Sequence, residues 1–155
     1  LAAALTAAQM PETVNGLVLL YPALCIPDAA RGGEMLWLKF DPSHIPEKMH
    51  AGPMPLGRRY AADVMNMDAF RQIAGYSGKV LLLHGDSDTI VDISYAEKAE
   101  SVYRAAGADV RFVVIPGGKH IFRKPSQIRQ ATQEITAFVR KIKEENENEA
   151  DNGTV

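Results

Sequence analysis

The stretch that decides the fold is Val80-Leu-Leu-Leu-His-Gly-Asp-Ser-Asp-Thr-Ile-Val-Asp92, in which an apolar run leads into a cluster of acids. Residues 80–83 are all apolar, as in a strand that is buried on both faces of a parallel sheet. His84-Gly85 ends this run, and Asp86 and Asp88 follow at once. Open α/β sheets carry their chemistry just beyond the carboxyl ends of the strands. The stretch therefore predicts a parallel sheet with a polar site at one edge.

The next predicted strand, Asp109–Ile115, leads through Pro116-Gly-Gly-Lys119 to His120. An acid after one strand and a histidine after the next form the back half of an acid–base–nucleophile triad. In such a triad His120 is the general base, and the acid holds its imidazole in one tautomer. The spacing leaves both Asp86 and Asp88 open as the acid, since Asp is also common in turns and helix caps.

The nucleophile that would complete this triad is not found in the sequence. A nucleophile elbow requires Gly-x-Ser-x-Gly at a strand-to-helix turn, and the chain contains no such pentapeptide. Gly75-Tyr-Ser-Gly-Lys79 lacks the final glycine and precedes a strand, and Ser87 lies between the two acids. The chain also begins without methionine, in an alanine-rich segment typical of the body of a helix. We therefore expect the serine to come from an N-terminal half that precedes Leu1.

Composition is that of an ordinary globular protein. A chain of 155 residues is long enough to bury a core, and its content of 46% hydrophobic and 23% charged residues is ordinary for a globular protein. A net charge of −2 and few aromatic residues give no support for binding to nucleic acid or to a membrane surface. No segment reaches the roughly eighteen consecutive apolar residues of a membrane span. The single cysteine, Cys25, excludes an internal disulfide, and we expect a cytoplasmic protein.

The other candidate ligands and nucleophiles do not indicate a second site. His44 and His50 lack Cys, His or carboxylate partners at metal-ligand spacing. His84 is expected to brace the turn at the strand end, and Cys25 to be a small buried apolar residue. No metal or organic cofactor is therefore expected.

The order of the predicted elements indicates an α/β fold with helices on both faces of a parallel sheet. The first helix and the strand after it are half of a βαβ crossover; a free-standing N-terminal helix is the alternative. The predicted helices are 1–9, 68–76, 93–106 and the segment that begins at Ser126, and the predicted strands are 16–21, 80–83 and 109–115.

Residues 23–76 differ in composition from the regions on either side. Prolines and glycines punctuate short segments that still contain Met, Leu, Trp, Phe and Tyr. The region is too long and too apolar for a connection inside a compact domain, so we interpret it as an inserted cap or lid over the strand ends. A loosely ordered linker is the alternative. The chain then divides into an α/β core (1–22 and 77–142), a cap (23–76) and a polar tail (143–155) that we expect to be disordered.

These motifs resemble the C-terminal portion of an α/β-hydrolase, and most closely that of bacterial feruloyl (cinnamoyl) esterases. The resemblance covers residues 1 to about 142 and rests on three phrases. His84-Gly-Asp-Ser-Asp88-x-Ile-Val91 and Gly117-Gly-Lys-His120-x-Phe122 are typical of the superfamily. The third, Leu38-Lys-Phe-Asp-Pro-Ser-His-Ile-Pro46, suggests the esterase subgroup. The implied fold is the C-terminal part of an α/β-hydrolase, a parallel sheet flanked by helices, with an inserted cap.

The resemblance also implies an activity and a set of residues. It implies a serine carboxylic-ester hydrolase for feruloyl, cinnamoyl or similar aryl esters, with Asp88 rather than Asp86 as the triad acid and His120 as the triad histidine. The nucleophile and the oxyanion hole would belong to the N-terminal half. In similar esterases the cap holds the aromatic acyl group, and Trp37 and Tyr60 are candidates for its wall. Ordinary packing inside the cap is the alternative for both.

Two other functions are compatible with the same motifs. A truncated, inactive chain would act only by association, because the strands it lacks would leave an open sheet edge for another chain or a second copy. An α/β-hydrolase of the peptidase or thioesterase type would use the same acid and base. Without a nucleophile or an oxyanion hole, the 155-residue chain is expected to be inactive by itself.

Overall fold

The computed structural model describes residues 1–35, 38–51 and 54–152. Along the chain a short 3-10 turn at Pro11–Thr13 follows the first helix. The helices are α1 (Ala2–Gln9), α2 (Ile26–Arg31), α3 (Arg58–Met65), α4 (Ala69–Ile73), α5 (Ser94–Ala105) and α6 (Pro125–Asn152). The strands are β1 (Leu17–Leu20), β2 (Glu34–Met35), β3 (Leu38–Lys39), β4 (Lys48–Ala51), β5 (Met54–Gly57), β6 (Lys79–Gly85) and β7 (Asp109–Ile115).

The centre of the fold is a parallel sheet in the order β1, β6, β7. Leu17 of β1 is aligned with Val80 of β6, and Gly85 at the end of β6 is aligned with Ile115 at the end of β7. Because the strands are parallel, their carboxyl ends lie at one edge of the sheet. The residues that follow β6 and β7 therefore lie close together in space.

Helices pack against both faces of this sheet. Successive side chains of a strand point to opposite faces, so a strand covered on both sides must be apolar at every position. Val80 and Leu82 of β6 face α1, α4 and α5, whereas Leu81 and Leu83 face α6. All four side chains are fully buried. The predicted parallel sheet flanked by helices is confirmed.

Residues between β1 and β6 form an apolar cluster of their own. Helices α2 and α3 pack beside two short antiparallel hairpins, β2–β3 and β4–β5. Arg31 links α2 to the end of α3, because its guanidinium donates to the carbonyl oxygens of Met65 and Met67 at 2.9 and 3.0 Å. Its buried side chains are Ala30, Met35, Met49, Leu56, Ala61 and Val64. The interpretation of this region as a cap over the strand ends stays a prediction.

The C-terminal helix is longer than the sequence predicts. The sequence predicts a disordered tail from residue 143, but α6 continues to Asn152. Glu, Lys and Ala favour helix, and Glu145 forms an ion pair of 2.7 Å with Lys79 and lies 3.9 Å from Lys141, one turn earlier. These contacts join the segment around Glu145 to β6 and to the preceding turn of α6. Residues 153–155 lie outside the described residues, and no helix in the described part of the chain is apolar enough to cross a membrane.

A tight backbone contact joins the end of β6 to the loop after β7. A Cβ atom on Gly85 would lie 2.1 Å from the carbonyl oxygen of Gly118, the same oxygen that accepts a hydrogen bond of 2.9 Å from the N–H of Ser87. We predict that Gly85→Ala lowers the free energy of unfolding by about 1–3 kcal/mol, the usual cost of overpacking a filled site. Urea unfolding measures the change.

Gly57→Ala is the matched control for this substitution, because nothing lies within 4 Å of a Cβ atom placed there. If both alanine variants lost the same stability, the contact between Gly85 and Gly118 would not be the cause.

Candidate active site

A carboxylate and an imidazole meet beyond the ends of β6 and β7. Oδ2 of Asp88, on the turn after β6, lies 2.9 Å from Nδ1 of His120, on the loop after β7. The Asp88 side chain is 0% exposed and that of His120 is 22% exposed. The two residues are 32 positions apart, so the parallel pairing of β6 with β7 brings them together.

The second oxygen of Asp88 is bound by its own turn. Oδ1 accepts hydrogen bonds from the N–H groups of Ile90 and Val91, at 2.9 and 3.0 Å. Burial by itself raises the pKa of Asp88, but the hydrogen bonds from Val91, Ile90 and His120 outweigh it and hold the pKa below its ordinary value. The carboxylate is therefore ionised at neutral pH, with both oxygens oriented.

This geometry assigns the two nitrogens of His120. An ionised carboxylate only accepts hydrogen bonds, so Nδ1 of His120 carries the hydrogen and donates it to Asp88. Nε2 is then the nitrogen that can take up and release a proton. The pair has the arrangement of a general base whose tautomer is held by an acid.

An aromatic residue that the sequence patterns did not indicate packs against the imidazole. The ring of Tyr21, just after β1, lies 4.8 Å from that of His120 between centroids, and it meets Phe122 edge-on at 5.4 Å. Tyr21 and Ile121 both have positive φ angles, 39° and 64°. For non-glycine residues this conformation costs about 1–3 kcal/mol and is concentrated at functional sites. The only sequence signal for Tyr21 is its position at the end of a buried strand, before a proline.

His84 secures the turn that carries Asp88. Its side chain is fully buried, and its Nε2 lies 2.9 Å from the carbonyl oxygen of Val91 and 3.4 Å from Oδ2 of Asp88. Because a carbonyl oxygen only accepts, Nε2 of His84 carries the hydrogen. Nδ1 of His84 has no hydrogen-bond partner among the described residues. His84 thus helps to hold the turn that carries Asp88, and its buried side chain is not accessible to a substrate.

Asp86 has a different task from Asp88. Its Oδ1 accepts hydrogen bonds from the N–H of Gly117 at 2.7 Å and from the hydroxyl of Ser87 at 3.0 Å. Gly117 adopts a φ of 62°, in the left-handed region that favours glycine. Asp86 therefore ties the turn after β6 to the turn after β7. Of the two acids that the spacing left open, the structure brings Asp88 to His120.

Tyr60, the other described residue that was predicted for the site, has no contact with this pair. Tyr60 lies on α3 and is 47% exposed, and it is not among the residues that line the cavity beside His120. Trp37 lies outside the described residues. Cys25 is half-buried, and burial raises the pKa of its thiol, which disfavours a thiolate nucleophile. No group of three or more His, Cys, Asp or Glu side chains in the described ranges is arranged to hold a metal ion.

Comparisons with known proteins agree with this architecture. Residues 33–145 match the model of the prolyl oligopeptidase family, and no curated protein matches the chain. Est1E from Butyrivibrio proteoclasticus is similar at 28% identity with a TM-score of 0.80, over 91% of this chain and 56% of that one. A structure described as ferulic acid bound to Est1E is similar at 29% identity with a TM-score of 0.74, over 86% and 53%.

A third similar structure, the esterase domain of a Rhodothermus marinus protein, has a TM-score of 0.65 over 90% of this chain and 56% of that one. At 20% identity it supports the fold alone. The chain thus spans about half the length of each of these three solved structures.

The hydrogen bonds of Asp88 predict a specific dependence of stability on pH. Its pKa is lower in the folded than in the unfolded chain, so its contribution is present above the unfolded pKa, about 4, and is lost as the pH falls through the folded pKa. We predict that Asp88→Asn costs about 1.5–3 kcal/mol near neutral pH, and that the difference from wild type shrinks in acid. Urea unfolding of both proteins, at neutral pH and at a pH below about 4, measures this difference in the free energy of unfolding.

Asp63→Asn is the control, since Asp63 is exposed on α3 and the same substitution there is expected to have little effect at either pH. A loss of stability in Asp88→Asn that was equal at neutral and acidic pH would contradict the role given to the ionised carboxylate.

Proposed function

The chain belongs to the prolyl oligopeptidase family of α/β-hydrolases, and we propose that Asp88 and His120 are the acid and base of a serine carboxylic-ester hydrolase. The observation that carries this proposal is the 2.9 Å hydrogen bond between the buried carboxylate and the imidazole at the carboxyl ends of β6 and β7. That edge is where α/β sheets carry their catalytic groups. The proposed nucleophile is a serine of the Gly-x-Ser-x-Gly type, contributed by protein outside residues 1–155.

In the proposed reaction Nε2 of His120 carries the proton, and Asp88 holds the opposite nitrogen of the ring. The serine oxygen attacks the carbonyl carbon of the ester while Nε2 of His120 takes the serine proton. As the tetrahedral intermediate collapses, the same nitrogen gives that proton to the departing alcohol oxygen. Water then attacks the acyl-serine in the same way and releases the acid. Asp88 holds the Nδ1–H group throughout and stabilises the imidazolium without taking its proton.

The similar solved structures favour an aryl ester as the substrate. Est1E is 29% identical to this chain in the structure with ferulic acid bound, and we propose feruloyl, cinnamoyl or similar esters by analogy. In this proposal the cap above the strand ends is formed by the part of residues 23–76 that precedes α4, since α4 packs against a face of the sheet. Tyr60, whose ring is nearly half exposed, and Trp37 are the proposed contacts of the aromatic acyl group.

Strand β1 is the proposed place at which the remainder of the enzyme joins the sheet. It is hydrogen-bonded to β6 along one edge, and no other described strand pairs with its opposite edge. An unpaired strand edge offers backbone N–H and C=O groups to another strand. A strand added there would end at the same side of the sheet as Asp88 and His120, if it too were parallel.

A peptidase is the second candidate, because the matching family is that of the prolyl oligopeptidases. The same acid and base would then serve attack on an amide, and the leaving group would be an amine. The similarity to Est1E favours the ester. The two candidates differ in which substrate the complete enzyme turns over.

The proposal is tested with the complete enzyme on methyl ferulate and on an acyl-peptide anilide. We expect hydrolysis of methyl ferulate, and a fall in kcat of about 10⁴-fold in Asp88→Asn, since the wrong histidine tautomer would then be favoured. Asp86→Asn is the matched control at the neighbouring acid, and it should retain most of the activity because an amide oxygen can still accept the N–H of Gly117.

The results separate the two candidate activities and test the triad acid. Turnover of the anilide without turnover of the ester would support the peptidase. Full activity in Asp88→Asn would overturn the assignment of the triad acid. The 155-residue chain without its partner segment is expected to hydrolyse neither compound, because it would lack the nucleophile and the oxyanion hole.

A further inference from the structure

A cavity of about 580 Å³ opens beside His120. It lies between the turn after β6, represented by Thr89 and Ile90, and the segment that leads from β7 into α6. Three of its lining side chains are cationic: Lys119, Arg123 and Lys124. No carboxylate is among the described residues that line it. The wall next to the proposed general base is therefore positively charged.

These three cations are not neutralised within the described part of the chain. None of their side chains forms an ion pair or a hydrogen bond with a described residue, whereas other surface cations do: Arg104 pairs with Glu100 at 2.8 Å and Arg111 with Glu134 at 2.7 Å. An unpaired cluster in a concave site concentrates positive potential there. The cavity is thus suited to an anion.

Two further features point in the same direction. A Cβ atom on Gly117 would lie 3.9 Å from both Nζ of Lys124 and Nε2 of Gln127, so the ammonium group lies above the glycine turn. Gln127 is only 6% exposed, and its Nε2 donates to the carbonyl oxygen of Pro116 at 3.1 Å, which fixes this wall. The amino end of α6, a helix of 28 residues, begins at Pro125 and adds its partial positive charge.

We propose that this cavity binds a carboxylate carried by the alcohol part of the ester, so that the preferred substrates are aryl esters of hydroxy acids. The inference rests on the proposed function, because it assigns the leaving-group side of the same site. Nε2 of His120 gives its proton to the departing alcohol oxygen, and the alcohol therefore lies on the side of His120. Ile90 and Ile121, 71% and 53% exposed, offer apolar contacts to the carbon chain between that oxygen and the carboxylate.

Binding is tested first, without turnover. The complete enzyme is titrated with 4-hydroxybutanoate and, as the neutral control of equal size, with 4-hydroxybutanamide, and amide chemical shifts are followed by NMR. We expect shifts at Gly117, Lys119 and Lys124 with the acid only, and their loss in high salt, which screens exposed charges. Equal responses to the acid and the amide, or no response to either, would overturn the proposal.

Specificity is tested next with the complete enzyme and a matched pair of substrates, the feruloyl esters of 4-hydroxybutanoate and of 4-hydroxybutanamide. We expect kcat/KM to be about tenfold higher for the acid, which corresponds to a few exposed charge interactions. The ratio should fall towards one in the double variant Arg123→Gln, Lys124→Gln. Lys143→Gln, an exposed position about five turns further along α6, is the control that should leave both rates unchanged.

The two proposals fail in different ways. If methyl ferulate is hydrolysed but the acid and amide esters react equally, the cationic cavity is not a carboxylate site and the esterase proposal stands. If the preference for the acid survives in the double variant, the site is elsewhere and the inference is wrong. If methyl ferulate is inert in the complete enzyme, the esterase proposal fails, and the assignment of the cavity to the alcohol part of an ester fails with it.

Discussion

The site depends on the parallel pairing of β6 with β7. Gly85 and Ile115 end these strands at the same level, and the backbone contact between Gly85 and Gly118 then brings the two following turns together. The hydrogen bond from the N–H of Ser87 to Gly118 locks the turns to each other at 2.9 Å. A shift of one residue in this register would turn side chains to the other face of the sheet. The acid and the imidazole would then no longer meet, although neither would have changed.

Asp86 and Asp88 have different roles where the turns after β6 and β7 meet. Asp86 joins the two turns through Gly117. Asp88 uses one oxygen for its own turn, through Ile90 and Val91, and the other for His120. Asp commonly caps a turn in this way, so the interpretation of Asp88 as a turn former and its pairing with a histidine are not alternatives. The N–H groups of the turn are what keep the buried carboxylate ionised and aimed at the imidazole.

Features that depend on local pattern could be predicted from the sequence. The apolar run of β6 and the strand Asp109–Ile115 are such features, and sheet topology then places Asp88 near His120. Features set by long-range contacts could not. Tyr21 packs against the imidazole and has a positive φ angle, which no propensity indicates for tyrosine. The sequence does not predict the length of α6, because polar, biased composition is typical of disorder, whereas the ion pair between Lys79 and Glu145 joins this segment to β6.

Charge is distributed unevenly across the sheet edge, and this has consequences for recognition. The carboxylate of Asp88 is buried behind His120. Three N–H groups donate to it within 3.0 Å and compensate much of its negative charge. The cations after β7 have no such partners among the described residues and face the cavity. A molecule that approaches this edge therefore meets the imidazole beside a positive wall, while the negative charge of Asp88 is buried. Charge arranged in this way favours the encounter with an anionic partner and its orientation more than it favours raw affinity. The acid that orients His120 and the cations that border it can thus act on different parts of the proposed substrate without cancelling each other.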